Sequence, residues 1–577
     1  MELAVTAISS NVADQGGRLR ILTGLADGTD ALAGQVATRL KLPLQIAAPY
    51  PTESSAALRA QAECQCYVSG SGAEPAPENW IAATDEWKVS LADVILVVWD
   101  GQAARGTRGG TVRILKESLQ RHTPIIWIDP REATEPVVRL LDLSRLTASA
   151  LAVIEASETR TDPICDLFSP PVKDLTPGLG DLLAACWDNT ELARLSKFME
   201  RRNIDPRDRR VLAGSLHSNL FWLLGAWKRR GLARIPVWRG PDAFVDNSRL
   251  PEESWQGFDR LDRVATYAAL KYRDLIVVVH LLGSLAVLGA VAGTLGWSLG
   301  WGAAELTVLL AILAILWRDR QVFSQHAVWL HYRQAAEALR ISALLHPHLA
   351  SLPQLQRRIW RASGPSDPHT HHLEKPCHWH VVQTLREAGL SLGHGGTPFI
   401  LVEERQHRQA QLVSLLDDQI LFHSGSETRN RTINHRLHHV TLAVFATVFV
   451  AVILHILAIG IEHLETAGVS APHWLEGAGH WIHAQDWLLL VTAFLPALVA
   501  ALHGIRSTLE FERVAENSRK VGSKLASIKR LLEDTMNDDN QDPLTLRALT
   551  ILTAETMYRE HDAWAELMET RVLEIPG

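Results

Sequence analysis

Cysteine is scarce in this chain, and so is any concentration of charge of one sign. The five cysteines, Cys64, Cys66, Cys165, Cys186 and Cys377, are odd in number and lack framework spacing. They exclude a disulfide-stapled fold and fit a reducing compartment, with Cys64 and Cys66 read as packing residues. No run of interleaved basic and aromatic residues occurs, and a net charge of -7 with a pI near 6.4 leaves no electrostatic footprint for nucleic acid. Nucleic acid is therefore not an expected partner. The N-terminal residues also lack the charged start, apolar run and cleavage site of a signal peptide, so the N-terminus is expected to stay inside.

Charge is missing above all from four apolar stretches, 275–297, 302–317, 440–461 and 487–505. They are too long and charge-poor for ordinary core helices and read as two transmembrane hairpins. An uninterrupted helix satisfies its own backbone hydrogen bonds in lipid. Lys271 and Arg273 precede the first stretch, Arg318 and Arg320 follow the second, and the turn between them has no Lys or Arg. Arg431 and Arg436 precede the third and Arg506 and Arg513 follow the fourth, whereas the 462–486 loop carries Glu462, Glu465, Glu476 and Asp486 without one basic residue. Both hairpins are then expected to have their outer ends, and both termini, in the cytoplasm. Trp297, Trp301, Trp317, Trp481 and Trp487 fall where interfacial rings are favoured. The second stretch is the shortest, with Glu305 near its outer end.

The 577 residues, with 26 Pro, 37 Gly and 47% apolar content, leave room for two or three domains. Before the apolar stretches the pattern is that of an α/β domain. Strands are expected at Leu19–Thr23, Leu44–Ala48, Val94–Trp99 and Pro124–Ile128, with helices over 30–40, 80–91 and 111–121. Continuous apolar strands between helices imply a parallel sheet covered on both faces.

Two loops fall at carboxyl ends of these strands, where open α/β sheets place ligands. The first is Thr23-Gly24-Leu25-Ala26-Asp27-Gly28-Thr29-Asp30, in which Thr29 or Asp30 can cap a helix whose free N–H groups attract a phosphate. The second is Asp100-Gly101 followed by Arg105-Gly106-Thr107-Arg108-Gly109-Gly110-Thr111, where glycines and two arginines at a helix start suit an anion. Each loop alone also fits an ordinary β-to-α turn.

Taken together, residues 18–129 resemble the SLOG superfamily. This Rossmann-like group includes the LOG cytokinin-activating phosphoribohydrolases, the DprA proteins and the sensor region of TRPM-type channels. Leu25-Ala26-Asp27-Gly28-Thr29-Asp30, Ala92-Asp93-Val94 with Val98-Trp99-Asp100-Gly101, and Arg108-Gly109-Gly110-Thr111 carry the likeness. The resemblance implies a Rossmann-like fold and a nucleotide-derived ligand held by Gly24, Asp27, Gly28, Thr29, Asp30, Asp100, Gly101, Arg105, Arg108, Gly109, Gly110 and Thr111. LOG-type hydrolases have acids two and three places after the Gly-Thr, where this chain has Arg113 and Ile114, so no catalytic residue is assigned. The family's first strand, expected before residue 18, is not visible in Met1–Gln15.

The chain divides into a SLOG-like domain at 1–130, a mostly helical extension and linker at 131–257, a first hairpin module at 258–345, a His/Pro-rich connector at 346–397, a second hairpin module at 398–535 and a helical tail at 536–577. An entry helix, a hairpin and an amphipathic exit helix with Trp329, Leu330, Tyr332, Ala336, Leu339 and Ile341 at helical spacing resemble the SLATT modules that accompany SLOG domains in bacterial conflict systems. Phe399–Leu437 and Ser507–Asp534 could repeat that plan. His369, His371, His372, Cys377, His378 and His380 crowd one short stretch but lack paired finger spacing, so no metal is assigned. His280 and His455 lie within apolar sequence and are either pore-lining groups or imidazoles bonded to a neighbouring helix. Gly289 and Gly293 would permit close helix packing, and Pro496 a kink.

The expected function is a multi-pass, homo-oligomeric protein of the bacterial inner membrane in which a nucleotide sensor controls a four-helix effector, permeabilising the membrane in anti-phage defence. Two alternatives stay open: a membrane-anchored LOG-like nucleotide N-glycoside hydrolase, and a membrane scaffold with a non-binding SLOG domain.

Overall fold

The computed structural model describes residues 1–14, 18–26, 28–68, 78–102, 110–120, 123–131, 137–156, 161–172, 178–180, 215–224, 252–294, 299–321, 325–350, 355, 398–466, 485–536 and 543–569. The cluster at 365–380 lies outside them, as does most of the 131–257 extension beyond 180.

The N-terminal region is α/β. Its strands are β1 (Ile21–Thr23), β2 (Leu44–Ala48), β3 (Cys64–Tyr67), β4 (Ile95–Val98), β5 (Ile125–Asp129) and β6 (Val137–Leu140), joined by the later β7 (Phe399–Ile400). Its helices of eight residues or more are α1 (Glu2–Asp14), α2 (Thr29–Arg39), α3 (Glu78–Leu91), α4 (Thr111–Gln120) and α5 (Ala148–Ala156).

Both faces of the strands are covered, as the apolar runs require. Trp127 and Ile125 of β5 pack against Leu115 and Leu119 of α4, while Ile126 of the same strand packs against Ile8 and Val12 of α1. Ala47, Cys64 and Cys66 pack beneath Trp87 and Leu91 of α3, and Leu44, Ile46 and Ala48 face Ala37 of α2.

The expected single sheet is divided. One sheet runs β1-β2-β3-β7, all parallel, and the other runs β4-β5-β6, in which β6 is antiparallel. β1 and β4, which would have to pair to join the halves, are not neighbours. The segment where the resemblance calls for a strand folds instead as α1, because Ala4, Val5, Ile8 and Val12 recur at helical spacing and are buried. α1 reaches from α2, where Glu2 accepts from Arg39 (2.6 Å), to the face of the second sheet.

The C-terminal region is helical: α6 (Leu216–Leu223), α7 (Glu252–Thr294), α8 (Leu299–Gln321), α9 (Gln325–Leu345), α10 (Arg405–Thr466), α11 (Gln485–Thr508), α12 (Phe511–Met536) and α13 (Pro543–Glu569). Within α7, α8, α10 and α11 lie four spans long and apolar enough to cross a membrane. The principal packings arrange them as a row, α8-α7-α11-α10. α8 and α10 at its ends leave large apolar side chains bare, such as Leu313 (60%), Phe449 (62%) and Ile456 (62%), a surface suited to hydrocarbon. The two hairpins share a plan, since each exit helix packs back on its entry helix, α9 on α7 and α12 on α10. The feet of both hairpins and α13 merge into one apolar core that includes Tyr272, Leu339, Leu416, Leu525 and Met557.

Candidate functional site

The first loop begins where β1 ends, and its shape is fixed by side chains around Gly24. A Cβ there would meet Asp30 Oδ2 at 2.8 Å and Lys88 Nζ at 3.0 Å, so a larger residue would push these two side chains out of place. Thr23 Oγ1 donates to the Asp30 carbonyl (3.0 Å) and accepts from Leu25 N–H (3.3 Å). Gly28, at φ +99°, takes the N-cap of α2 with no side-chain cap. The expectation that Thr29 or Asp30 would cap this helix is thereby corrected. The Asp30 carboxylate instead stands 3.9 Å from Lys88 Nζ, which leaves the helix start without a side-chain cap.

Lys88 is the residue that sequence reading missed. It extends from α3 and bonds Asp85 at 2.9 Å as well as Asp30. Burial alone would push the ammonium down, but Asp85 and Asp30 more than offset it and hold the group above its ordinary value. The ammonium thus stays charged, paired with two carboxylates, beside a helix start without a side-chain cap. Its only sequence signal was a lysine three residues after Asp85, near the end of the helix.

The second loop follows β4. Asp100 Oδ1 accepts from Gln102 N–H (3.0 Å), Gly101 takes φ +74°, and its carbonyl accepts from Thr161 Oγ1 (2.8 Å). Trp99 anchors the turn by donating Nε1–H to the Gln102 carbonyl (2.9 Å), and Trp127 Nε1–H in turn holds the Trp99 carbonyl (2.8 Å). Gly110, at φ +125°, and Thr111 open α4. Beside Gly101 stands Arg131, clamped to Asp129 at 2.5 Å, and that hydrogen bond holds the Asp129 carboxyl below the usual range.

Asp27, Arg105, Arg108 and Gly109 lie outside the described residues. What joins the two loops is α3: Lys88 reaches the first, and Glu86 bonds Arg113 in the opening turns of α4 (2.9 Å). Arg113, which stands where hydrolases of the resembled family carry an acid, is engaged in that pair. The surface groove lined by Arg18, Lys41, Pro43 and Glu63 lies beyond the amino end of β2, opposite the loops, and adds nothing to them.

Among the described residues, the membrane-helix regions meet this domain at Leu349, at Phe399 and Leu401, and at Arg547. Leu349, just after α9, and Phe399 and Leu401 around β7, just before α10, are buried in the same core as β3 and α3. Arg547 of α13 bonds the second oxygen of Glu86 (3.4 Å) and the Leu349 carbonyl (3.4 Å). His348 is buried at this joint. Burial, followed by repulsion from Arg408 and Arg547, pushes it down to about 3, and burial alone pushes His346 to about 4.

Within the spans, His280 donates its Nδ1–H to the Ile276 carbonyl (2.8 Å) and lays its ring on Gly504 of α11. This places it in a helix–helix seam. His455 is half-buried on α10 among exposed apolar neighbours. Gly289 packs on Glu305 and Gly293 on Trp301 and Gly302, so this small-residue spacing closes the first hairpin on itself. Among the described residues no group of three or more metal-ligating side chains occurs. No protein-family model matches the chain, and no curated protein and no solved structure matches it either.

Proposed function

We propose that the α/β domain binds a nucleotide-derived anion at the starts of α2 and α4, and that its occupancy sets the arrangement of four membrane spans and hence membrane permeability. This is a SLOG-like sensor of Rossmann-like descent joined to SLATT-like hairpins, acting as an oligomer in bacterial defence. The observation that carries the reading is the shared core: Leu349 and Phe399 lead directly into the two hairpin modules and are buried with the strands and helix that shape the ligand loops. A ligand shifts an equilibrium only through differential affinity for two states, and a common core gives those states a physical connection. The Arg113–Glu86 pair favours binding over hydrolysis, since a cation in place of a carboxylate supplies neither base nor nucleophile.

The test is thermal shift of the purified full chain in detergent against ADP-ribose, cyclic ADP-ribose isomers, NAD and cyclic dinucleotides, with Asp27→Ala, Lys88→Met and Arg108→Ala in parallel. Binding raises apparent stability by mass action. A response in the wild type that the variants lose, followed by ligand-dependent leak from liposomes, is the expected result. A flat response across the panel would overturn the sensor reading, and steady release of free base would replace it with the hydrolase.

A further inference from the structure

We infer that His435 and His439, one turn apart on α10, form a binding site for a divalent transition-metal ion of the zinc class.

Residues four apart on a helix project side by side on one face, and His435 and His439 have that spacing within α10. Their rings meet nearly edge to face, with centroids 4.3 Å apart at 85°. Nε2 of one ring thereby stands 3.0 Å from Nε2 of the other. Zinc–imidazole bonds of about 2.0–2.1 Å place two ligating nitrogens about 2.9 Å apart at a right angle and about 3.3 Å apart at the tetrahedral angle. The observed 3.0 Å falls inside that interval, so one ion can reach both nitrogens with little movement of either ring. As a hydrogen bond, the contact needs the proton on one Nε2. With both rings protonated at Nδ1 instead, both Nε2 lone pairs are available to an ion.

Both rings are exposed, so an ion and its waters reach them without desolvating a buried group. The cations nearby are engaged elsewhere. Arg436 donates to the Leu224 carbonyl, Arg431 to Glu427 (3.3 Å), and Arg506 of α11 to Asn434 (2.6 Å). Neutral imidazoles suit zinc, copper or nickel, whereas magnesium and calcium seek oxygen. Two protein ligands leave the other positions to water, which makes this an exchangeable site and not a closed structural centre. It is separate from the His-rich stretch 369–380, which lies outside the described residues, and from the anion site proposed for the α/β domain. Asn434, next to His435, joins α10 to α11 through Arg506 and to α12 through Glu512 (3.5 Å), and the third apolar stretch begins at 440. An ion on this pair would staple the one turn of α10 that separates that junction from the span.

The experiment uses the full chain in detergent, purified without a histidine tag. Diethylpyrocarbonate modifies accessible neutral imidazoles, and peptide mass spectrometry reads each histidine separately. The probes are zinc chloride and magnesium chloride, tested on the wild type, His435→Ala, His439→Ala and a control carrying both His378→Ala and His380→Ala. Alanine at an exposed helical position keeps the helix intact. Zinc is expected to slow modification of His435 and His439 together, with one shared midpoint that the control leaves unchanged, and magnesium to slow neither. In His439→Ala the midpoint for His435 should rise about tenfold, and in His435→Ala that for His439 likewise. Zinc that protects the 369–380 histidines but not this pair, or that protects His435 equally with and without His439, would overturn the site. Equal protection by magnesium would overturn the transition-metal assignment.

Discussion

Replacing Gly504 by alanine tests the seam that joins the two hairpins. A Cβ at that position would stand 2.3 Å from Cδ2 and 2.5 Å from Nε2 of His280, whereas carbon atoms pack at about 3.5–4 Å. The imidazole cannot swing aside freely, since Nδ1 is bonded to the Ile276 carbonyl at 2.8 Å. Either α7 and α11 separate by about an ångström, with an overpacking cost of about 1–3 kcal/mol, or the ring gives up its hydrogen bond, worth about 0.6 kcal/mol within a membrane. We expect Gly504→Ala to lower the apparent melting temperature in detergent and His280→Ala to relieve most of that loss, with a coupling energy of about 1–3 kcal/mol. Thermal unfolding of the two single variants and the double variant measures it. If Gly504→Ala melts with the wild type, or is equally harmful in the His280→Ala background, the seam is not where the structure puts it.

Glu560→Gln probes the buried charge cluster, in which Glu560 of α13 faces Glu337, Arg340 and Arg333 of α9. Burial, then Glu337, raises Glu560 to about 7, so near neutral pH the folded state holds a proton the unfolded state has released. The stability of the neutral form is therefore present below about pH 4.5 and lost as pH rises through about 7, up to about 3 kcal/mol. Melting curves should show Glu560→Gln stabilising at pH 8 and neutral near pH 4.5. Glu337 has the opposite sign: burial would raise it, but Arg333 and Arg340 prevail and hold it at about 2, so its contribution is lost only as pH falls from about 4.5 toward 2. Lys88→Met leaves Asp30 and Asp85 without their cation, with an expected loss of about 1–3 kcal/mol and faster amide exchange over residues 28–32; unchanged exchange would remove Lys88 from the loop's support. Phe399→Ala should cost about 3–5 kcal/mol and expose the β3 edge, read as new protease cleavage between the α/β domain and α10 rather than within the spans.

Much of the fold was legible because its signals are local. Leu44–Ala48 is a strand at the bounds its apolar run implies, and Val94–Trp99 holds β4. Each of the four charge-poor stretches falls, over its described residues, in a helix of membrane length. β3 was not legible: Cys64-Gln65-Cys66-Tyr67 lacks both β-branched residues and an apolar run, and only its place between β2 and β7 makes it a strand. β7 is two residues long and pairs with a strand more than 300 positions earlier, a contact no local pattern encodes. The helix at Glu2–Asp14 was written in the spacing of Ala4, Ile8 and Val12, but a search for a family strand passes over it. At the candidate site the glycines marked both loops, because left-handed backbone at Gly28, Gly101 and Gly110 leaves few other choices. Lys88 and Glu86, which tie the loops to α3, carry no such mark.

Magnitudes indicate which connection between the two regions could transmit a ligand's effect. The Glu86 carboxylate bonds Arg113 of α4 through one oxygen and Arg547 of α13 through the other, an inviting relay. Yet its side chain is 30% exposed, and pairs of that kind contribute about 0.2–1 kcal/mol each and are screened by salt. The joint of Leu349, Phe399 and Leu401 is fully buried, and each such side chain contributes about 1.5–3 kcal/mol. Coupling between distant sites is commonly 1–3 kcal/mol, which the core supplies with margin and the ion pairs barely reach. The reading therefore requires that movement of β3 and α3 be passed through packing at β7 into α10, whose 62 residues run unbroken from the α/β domain to the far end of the third span, about 93 Å at 1.5 Å per residue. Raising salt from 50 to 500 mM should consequently leave any ligand-induced leak largely intact, whereas Leu401→Ala should abolish it while ligand binding persists; the reverse pattern would assign transmission to Glu86.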